Sequence, residues 1–224
     1  MTKTELAYNT LKDFIFQKKI LPGEKIFLEN LSKKLNISPT PLREALNRLV
    51  QEGYVSYNSN RGFILQVIST AAVEMLYELC EALETYAIKK TVENITKSDL
   101  AYLKENLLRY RKIIADEYTQ ERFLINNEFH IRIASVSGNE FIVKILALTL
   151  ERLVLKWMLE NIQHGRGPAG YDEHKAIYEA LEKRDAESAV ENIRTHIINT
   201  KKSVLEYLKG RDDLFKEPRL IRTG

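Results

Sequence analysis

Two prolines at the head of a charged amphipathic helix constrain this chain more than any other feature. The stretch SPTPLREALNRL runs from Ser38 to Leu49. Proline is tolerated in a first helical turn, because the amides it lacks have no intrahelical partner there. The residue before a proline is pushed out of the helical region, so we expect Ser38 or Thr40 to cap the helix. Spacing of i, i+3, i+4 and i+7 predicts one buried stripe: Leu42, Ala45, Leu46 and Leu49.

The N-terminus of this helix is suited to contact with DNA. Hydroxyl groups, unpaired backbone amides and the positive end of the helix dipole can all meet phosphates there. Arg43 and Asn47 are four residues apart and therefore share one face of the helix. Arginine can bind the edge of guanine through two hydrogen bonds. We therefore predict Arg43 as the main base contact with Asn47 beside it, and expect Arg48 to pack or to touch phosphate.

The elements around this helix complete a domain. Helical spacing predicts a first helix from its leucines, Phe14 and Ile15, and a short second helix that stops near Asn36. The β-rich runs YVSY and FILQV flank NSNRG, which predicts a hairpin whose basic tip carries Arg61 and Gly62. Three helices followed by a hairpin form a winged helix-turn-helix, which we assign to residues 1–69 as a DNA-binding domain.

The charge distribution fits an anionic partner for this domain. Residues 1–69 hold ten Lys and Arg against six Asp and Glu, whereas the remainder holds twenty-four against twenty-five. A basic third on a near-neutral body is typical of nucleic-acid binding. Charge alone is equally compatible with a merely solvated basic face.

The rest of the chain, residues 70–224, reads as an all-helical domain. Strand alternation is absent, and helical spacing predicts helices over 71–94, 97–116, 119–136, 139–161, 170–183 and 186–209. Short breaks between them favour an antiparallel bundle. The predicted fold is therefore mostly α, a winged helix-turn-helix followed by a helical bundle.

Several classes of protein are disfavoured. The chain has no run of eighteen apolar residues, and its N-terminus lacks the apolar segment of a secretory signal. Cys80 is the single cysteine, which excludes intrachain disulfides and fits a cytoplasmic location. The sequence contains no HExxH, nucleophile elbow, P-loop or GxGxxG, so we do not expect an enzyme.

Several motifs in a fixed order resemble a known family. They are LPGEKI, LNISPTPLREALNRLVQEGYV, NRGFILQV, LYELCEALETYA, NEFHIRIASVSGNEF, EHKAIYEAL and IRTHI. Together they resemble the GntR family of bacterial transcription regulators, in the FadR-type subgroup with an all-helical effector-binding (FCD) domain. The resemblance implies a homodimeric repressor or activator that binds a near-palindromic DNA operator and senses a small carboxylate in its bundle.

Three positions depart from the family pattern. Pro39 stands where the family has an arginine that contacts DNA, which leaves more of the recognition to Arg43. Cys80 stands where an arginine pairs with the effector carboxylate, and we expect Cys80 and Arg152 to line the effector pocket. Asn126 stands where the family has a metal-binding aspartate.

The spacing of the histidines indicates which of them can lie close together in the bundle. His174 precedes the turn near Arg184 by 10 residues and His196 follows it by 12. In antiparallel helices both then lie ~15–18 Å from that turn, at a similar height. Asn126 and His130 share a face of another helix as an i, i+4 pair. Spacing alone also allows unrelated histidines that pack or form hydrogen bonds. His164, in a glycine-rich loop, is expected at the surface.

The resemblance assigns a divalent metal to Asn126, His130, His174 and His196. Zinc is the default, although imidazoles also suit nickel and copper. Neutral Asn126 leaves the site one unit more positive than an aspartate would, so we expect the metal itself to anchor an anionic effector. A chelating di- or tricarboxylate or a hydroxy acid would suit such a site. The alternatives are a metal-free acyl-CoA sensor and a bundle metalloenzyme, although the Glu-x-x-His pairs of di-iron bundles are absent.

Overall fold

The computed structural model describes residues 1–114, 120–160 and 166–209, and in these ranges it is mostly helical, as predicted. The described elements are, in chain order, α1 Lys3–Phe16, β1 Lys25–Ile26, α2 Leu28–Leu35, α3 Pro39–Gln51, β2 Val55–Asn58, β3 Gly62–Leu65, α4 Thr70–Asn94, α5 Lys97–Ile113, α6 Gln120–Val136, α7 Glu140–Glu160, α8 Gly167–Lys183 and α9 Ala186–Lys209. Within the described ranges, no helix is both long and apolar enough to cross a membrane.

The chain divides into two compact units. One comprises Met1–Ile68 together with Leu155–Asn161, and the other comprises Ser69–Val154 together with Ile162–Gly224. The break at 68/69 lies close to the domain boundary expected from the sequence. A short piece from the end of α7 nevertheless belongs to the first unit, which local sequence patterns could not indicate.

The first unit is built around α3. The predicted stripe is fully buried, with Leu42, Ala45, Leu46 and Leu49 each 0% exposed. Helix α1 forms as predicted; its buried side includes Ala7 and Tyr8, whereas Leu6 is 41% exposed. A capping box on Thr2 starts α1, and the buried face centres on Ala7, Tyr8, Leu11 and Ile15, with Leu6 at its flank.

The hairpin forms as predicted, but it belongs to a three-stranded sheet. Strands β2 and β3 pair antiparallel, and β1 pairs with the other edge of β3 through Lys25 opposite Ile64. The motif LPGEKI ends in strand β1, which the sequence patterns did not predict. Its strand contains two residues, too few for an alternating pattern, so only the partner strand reveals it.

The second unit is a helical bundle in which α4 packs on α9, α8 on α9, and α5 on both α6 and α8. Helix α8 begins at Gly167, three residues earlier than predicted, and contains a proline in its first turn. Proline is tolerated there because the first turn of a helix leaves its amides without intrahelical partners. Residues 115 and 116, predicted to end the second bundle helix, lie outside the described residues.

Arg184 fixes the turn between α8 and α9 against α4. It ends α8 in the left-handed conformation, with φ 56°. Its guanidinium donates to the carbonyl oxygens of Val92 at 2.7 Å, Glu93 at 3.0 Å and Ile95 at 2.6 Å. These carbonyls at the end of α4 would otherwise lack partners. The contact therefore fixes the α8–α9 turn against the end of α4.

Candidate metal centre and DNA-binding surface

The N-terminus of α3 presents polar groups to solvent. Ser38 occupies the N-cap position in an extended conformation, but its side chain makes no capping hydrogen bond, contrary to expectation. Its hydroxyl is therefore not used by the helix. Thr40, Arg43 and Asn47 are also exposed, and Arg43 and Asn47 share one face as the spacing predicted.

Arg48, by contrast, is held within the first unit. Its Nε donates to the Glu52 carboxylate at 3.0 Å, and its guanidinium lies 3.7 Å from the centroid of the Tyr8 ring. The Tyr8 hydroxyl donates to the same carboxylate at 2.6 Å. Arg48 thus links α3 to α1, while its role on DNA stays a prediction.

The tip of the hairpin is a tight polar turn. The Asn60 amide donates to Oδ1 of Asn58 at 2.9 Å, and the Arg61 amide donates to the Asn58 carbonyl at 3.1 Å. Gly62 has φ +78°, a conformation that favours glycine. The turn leaves the Arg61 side chain exposed.

Three histidines from separate helices meet inside the bundle. His130 comes from α6, His174 from α8 and His196 from α9, and all three are buried. One nitrogen of each lies within 4.8 Å of the others. His174 and His196 therefore lie at the same height, as counting from their turn predicted.

One pair of these nitrogens is spaced as the ligands of a tetrahedral metal are. Nε2 of His174 lies 3.4 Å from Nε2 of His196. Zinc–nitrogen bonds of ~2.0–2.1 Å at tetrahedral angles separate two ligand nitrogens by about 3.3 Å. The two imidazoles are thus already placed as a pair of ligands.

Two carboxylates hold the outer nitrogens of the rings. Glu84 of α4, which is 2% exposed, lies 2.5 Å from Nδ1 of His130. Glu173 of α8 lies 2.8 Å from Nδ1 of His196. A proton on each Nδ1 satisfies the carboxylate and leaves Nε2 with a free lone pair, the arrangement usual behind metal-bound histidines.

Glu173 is itself firmly placed. Arg166 donates to both of its oxygens at 2.5 Å, and Nδ2 of Asn199 donates at 2.8 Å. Burial alone raises the pKa of Glu173, but hydrogen bonds from His196, Asn199 and Arg166 outweigh it and hold the pKa below its ordinary value. Glu173 therefore stays ionised and remains an acceptor for His196.

His174 lacks such a carboxylate. Its ring stacks on Phe129 with centroids 4.4 Å apart, and its Nδ1 is buried without a hydrogen-bond partner. Burial lowers the pKa of His174 well below its ordinary value, with neighbouring His196 and His130 adding to the effect. Burial also lowers the pKa of His196. Neutral imidazoles are the form that binds metal.

The other predicted site residues are placed less directly. Asn126 is half-buried one turn before His130, and its Nδ2 donates to Oδ1 of Asn127 at 3.4 Å. Cys80 is buried one turn before Glu84, and burial raises the pKa of its thiol well above the ordinary value. Arg152 is half-buried with Nε unpartnered, and the described residues include no hydrogen bond from it to the histidines. His164 lies outside the described residues.

Neither Glu84 nor Glu173 was among the site residues predicted from the sequence. Glu84 lies on the buried, mostly apolar face of α4, between Cys80 and Ala87. An acidic residue at a helical position that the spacing assigns to the core was the available sequence signal. Glu173 adjoins His174 in sequence yet serves the ring of His196 on the next helix, which no spacing rule reveals.

Comparison with known proteins decides the family. Residues 75–199 match the FCD domain, and residues 3–65 match the bacterial regulatory proteins of the gntR family. The chain belongs to the GntR family. It is a DNA-binding transcription regulator with an FCD domain and not an enzyme.

Known GntR-family regulators are similar along most of their length. The chain is 30% identical to the Nta operon transcriptional regulator of Aminobacter aminovorans, over 84% of this chain and 88% of that protein. It is 25% identical to the HTH-type transcriptional repressor RspR of Escherichia coli, over 94% and 92% respectively. The solved structure of E. coli McbR/YncC shares the fold, with a TM-score of 0.77, 23% identity and coverage of 93% and 99%.

Proposed function

We propose that this GntR-family regulator is a cytoplasmic homodimeric repressor whose helical domain binds a divalent ion and a small carboxylate, and that the carboxylate modulates binding to a near-palindromic operator. The observation that carries the proposal is the convergence of three buried imidazoles with carboxylates behind two of them. The similar RspR protein, described as a repressor, supports the sign of regulation.

The DNA half of the proposal rests on the exposed end of α3. Ser38, Thr40, Arg43 and Asn47 would read the half-site, because their side chains are exposed at the first turns of the helix. Arg61 and Gly62 at the tip of the hairpin would contact the adjacent backbone or minor groove. Arg48 would support this surface by packing on Tyr8, and the exposed edge of its guanidinium would contact a DNA phosphate.

The metal half rests on the donor set. His130, His174 and His196 would hold the ion, and Asn126 would add an oxygen. Zinc is the default occupant for three neutral imidazoles. When bound, the ion would act as a Lewis acid whose remaining coordination positions accept an anion. Glu84 and Glu173 would fix the orientation of two rings, so the site would need little rearrangement to accept the ion.

Glu84 and Glu173 change the net charge that the metal site would have from its ligands alone. Asn126 was expected to leave the ion more electropositive, but Glu84 and Glu173 bring two negative charges close to it. Each additional carboxylate here would hold the ion more tightly and attract an anionic effector less. A chelating hydroxy acid suits this balance, because it can occupy two positions on the ion.

Asn126→Asp tests this half through opposite effects. A carboxylate is the better ligand and also cancels one positive charge, so the variant should bind zinc more tightly and citrate more weakly than wild type. Calorimetric titrations of zinc and then citrate into both proteins, purified without a histidine tag, measure the two affinities. Tighter binding of both, or full-strength citrate binding by chelator-stripped wild type, would rule out an effector anchored by the metal.

Selection of binding sites from random DNA sequences tests the DNA-binding half of the proposal and identifies an operator sequence. We expect a near-palindromic consensus sequence bound by a dimer. The affinity for DNA should fall steeply as the salt concentration rises, because phosphate contacts release counterions. Sedimentation of the complex gives its stoichiometry. A single non-repeated site bound by one chain would contradict the homodimeric proposal.

A further inference from the structure

Helix α4 carries a stripe of apolar side chains on the side opposite its buried face. The four residues of this α4 stripe are exposed and are spaced by four, three and four positions: Met75, Leu79, Ala82 and Tyr86. Met75 is 61% exposed, Leu79 38% and Tyr86 57%. This spacing sets the four side chains along one line of the helix, as in the seam between two paired helices.

The α4 stripe is not the margin of the bundle core. The buried face of α4 packs on α6 and α9 and includes Cys80 and Glu84. At about 100° per residue, these two positions point roughly 130–170° away from the centre of the stripe. Apolar side chains grouped on an exposed surface are typical of a protein–protein interface.

Helix α9 adds apolar surface on one flank of the stripe. Arg194 lies 3.4 Å from the Glu81 carboxylate, and Lys201 lies 3.8 Å from the Glu78 carboxylate. Ile198 lies about one turn from both basic residues, on the same side of α9, and is 42% exposed. The exposed apolar surface therefore extends from α4 to the neighbouring helix.

The exposed charges of α4 change sign along the helix. Glu74 and Glu78 lie beside the start of the stripe, whereas Lys89 and Lys90 follow its end. Lys90 pairs with Glu93 at 2.9 Å, but Glu74 and Lys89 form no ion pair among the described residues. Two copies of such a helix are complementary when they run antiparallel, because a parallel pair sets like charges side by side.

We propose that the α4 stripe is the homodimer interface of the helical domain, where the same stripe of a second copy packs antiparallel to it about a two-fold axis. The proposal rests on the homodimer argued above and identifies the surface that forms it. An axis midway along the stripe sets Met75 opposite the partner's Tyr86, and Leu79 opposite the partner's Ala82. The small side chain of Ala82 permits close approach, and the tyrosine ring supplies a large contact area at each end.

The same axis brings opposite charges together. Glu74 lies one residue before Met75, so it is level with position 87 of the partner helix. The partner's Lys89 is then only ~3 Å further along that helix, which is within reach of its long side chain. The two-fold axis makes this contact twice, once on each side of the pair.

Tyr86→Glu tests the surface. Gel filtration with light scattering over a dilution series measures the dissociation constant of the dimer. Tyr86→Glu should raise it at least ~30-fold, because a two-fold interface loses the ring twice and gains two buried charges. Leu108→Glu is the matched control, since Leu108 of α5 is similarly exposed at 52%, and it should leave the dissociation constant unchanged.

Charge reversal tests the antiparallel arrangement. Glu74→Lys and Lys89→Glu should each weaken the dimer about tenfold, because each replaces two attractive contacts by two repulsive ones. The double variant restores opposite charges across the interface and should return to within about threefold of wild type. In a parallel pair each residue would face its own copy, so neither single reversal would weaken the dimer.

The outcomes separate this proposal from the homodimer beneath it. Wild-type protein that stays monomeric at every concentration would contradict the homodimer itself. A dimer that persists in Tyr86→Glu overturns the α4 surface and leaves the homodimer standing. A double variant as weak as the single reversals overturns the antiparallel arrangement. Should Tyr86→Glu lose its helical circular dichroism, Met75→Glu decides instead: it should weaken the dimer, and an unchanged dissociation constant overturns the surface.

Discussion

The end of α3 and the histidine cluster place polar side chains in opposite settings. Arg43, Asn47 and the Ser38 hydroxyl are exposed, and the helix that carries them is stabilised by the apolar stripe on its other side. His130 and His196 are buried, and each is oriented by a carboxylate from another part of the bundle. Substitutions of Arg43, Asn47 or Ser38 should therefore change DNA binding without changing stability, whereas substitutions in the histidine cluster should change both metal binding and stability.

Arg43→Ala should produce the largest effect on the exposed side. Loss of a bidentate contact to guanine should weaken operator binding by about 1–3 kcal/mol, without lowering the Tm. Fluorescence anisotropy with the selected operator and thermal denaturation measure the two quantities. Arg48→Ala is the matched control: it should lose about 0.5–1 kcal/mol of stability, because the guanidinium leaves the Tyr8 ring. Wild-type affinity and sequence preference in Arg43→Ala would refute its assignment to base recognition.

Glu84→Gln should have the next largest effect, on the buried side. Removal of an orienting carboxylate behind a metal-bound histidine typically lowers metal affinity 10–100-fold, and we expect a loss of this order. Competition with a fluorescent zinc chelator measures it. Glu173→Gln should behave similarly, while Glu128→Gln, a more exposed acid on α6, should leave zinc affinity unchanged. Unchanged zinc affinity in both Glu84→Gln and Glu173→Gln would mean that these carboxylates do not position the metal ligands.

Acid should destabilise the metal-free protein through the cluster. The pKa values of His174 and His196 are lowered in the folded state, so below the ordinary value of 6.5 the unfolded chain binds protons that the folded chain does not. The contribution of these histidines to stability should be constant well above that pH and should be lost progressively as the pH falls through 6.5. Urea unfolding of chelator-treated protein measures this loss. His174→Phe should show a shallower fall, and a rise in stability toward pH 5.5 would contradict the account.

Two serines should give the smallest effects and separate binding from folding. The Ser69 side chain accepts from the Ala72 amide at 3.1 Å, so Ser69→Ala should cost about 1 kcal/mol of stability. Ser38 makes no such bond, so Ser38→Ala should change stability by only a few tenths of a kcal/mol and weaken operator binding. Thermal denaturation and anisotropy together distinguish them. A clear loss of stability in Ser38→Ala would show that its hydroxyl does serve the helix.

The same contrast explains what the sequence could reveal. The buried stripe of α3 follows from local spacing. The position of His174 opposite His196 follows from counting residues on either side of the turn that joins α8 to α9. Strand β1 is too short to carry a pattern and is stabilised only by its partner. Glu84 and Glu173 act on rings that belong to other helices, so their roles depend on packing rather than on spacing.

Zinc uptake is the direct measure of a metal centre at His130, His174 and His196. Chelator-stripped, tag-free protein should take up one zinc ion per chain when measured by elemental analysis after dialysis. His196→Ala and His174→Ala should take up none, and His164→Ala, which alters the remaining histidine, should match wild type. Equal zinc in wild type and His196→Ala, whether both bind or neither does, would contradict a metal centre at the three histidines.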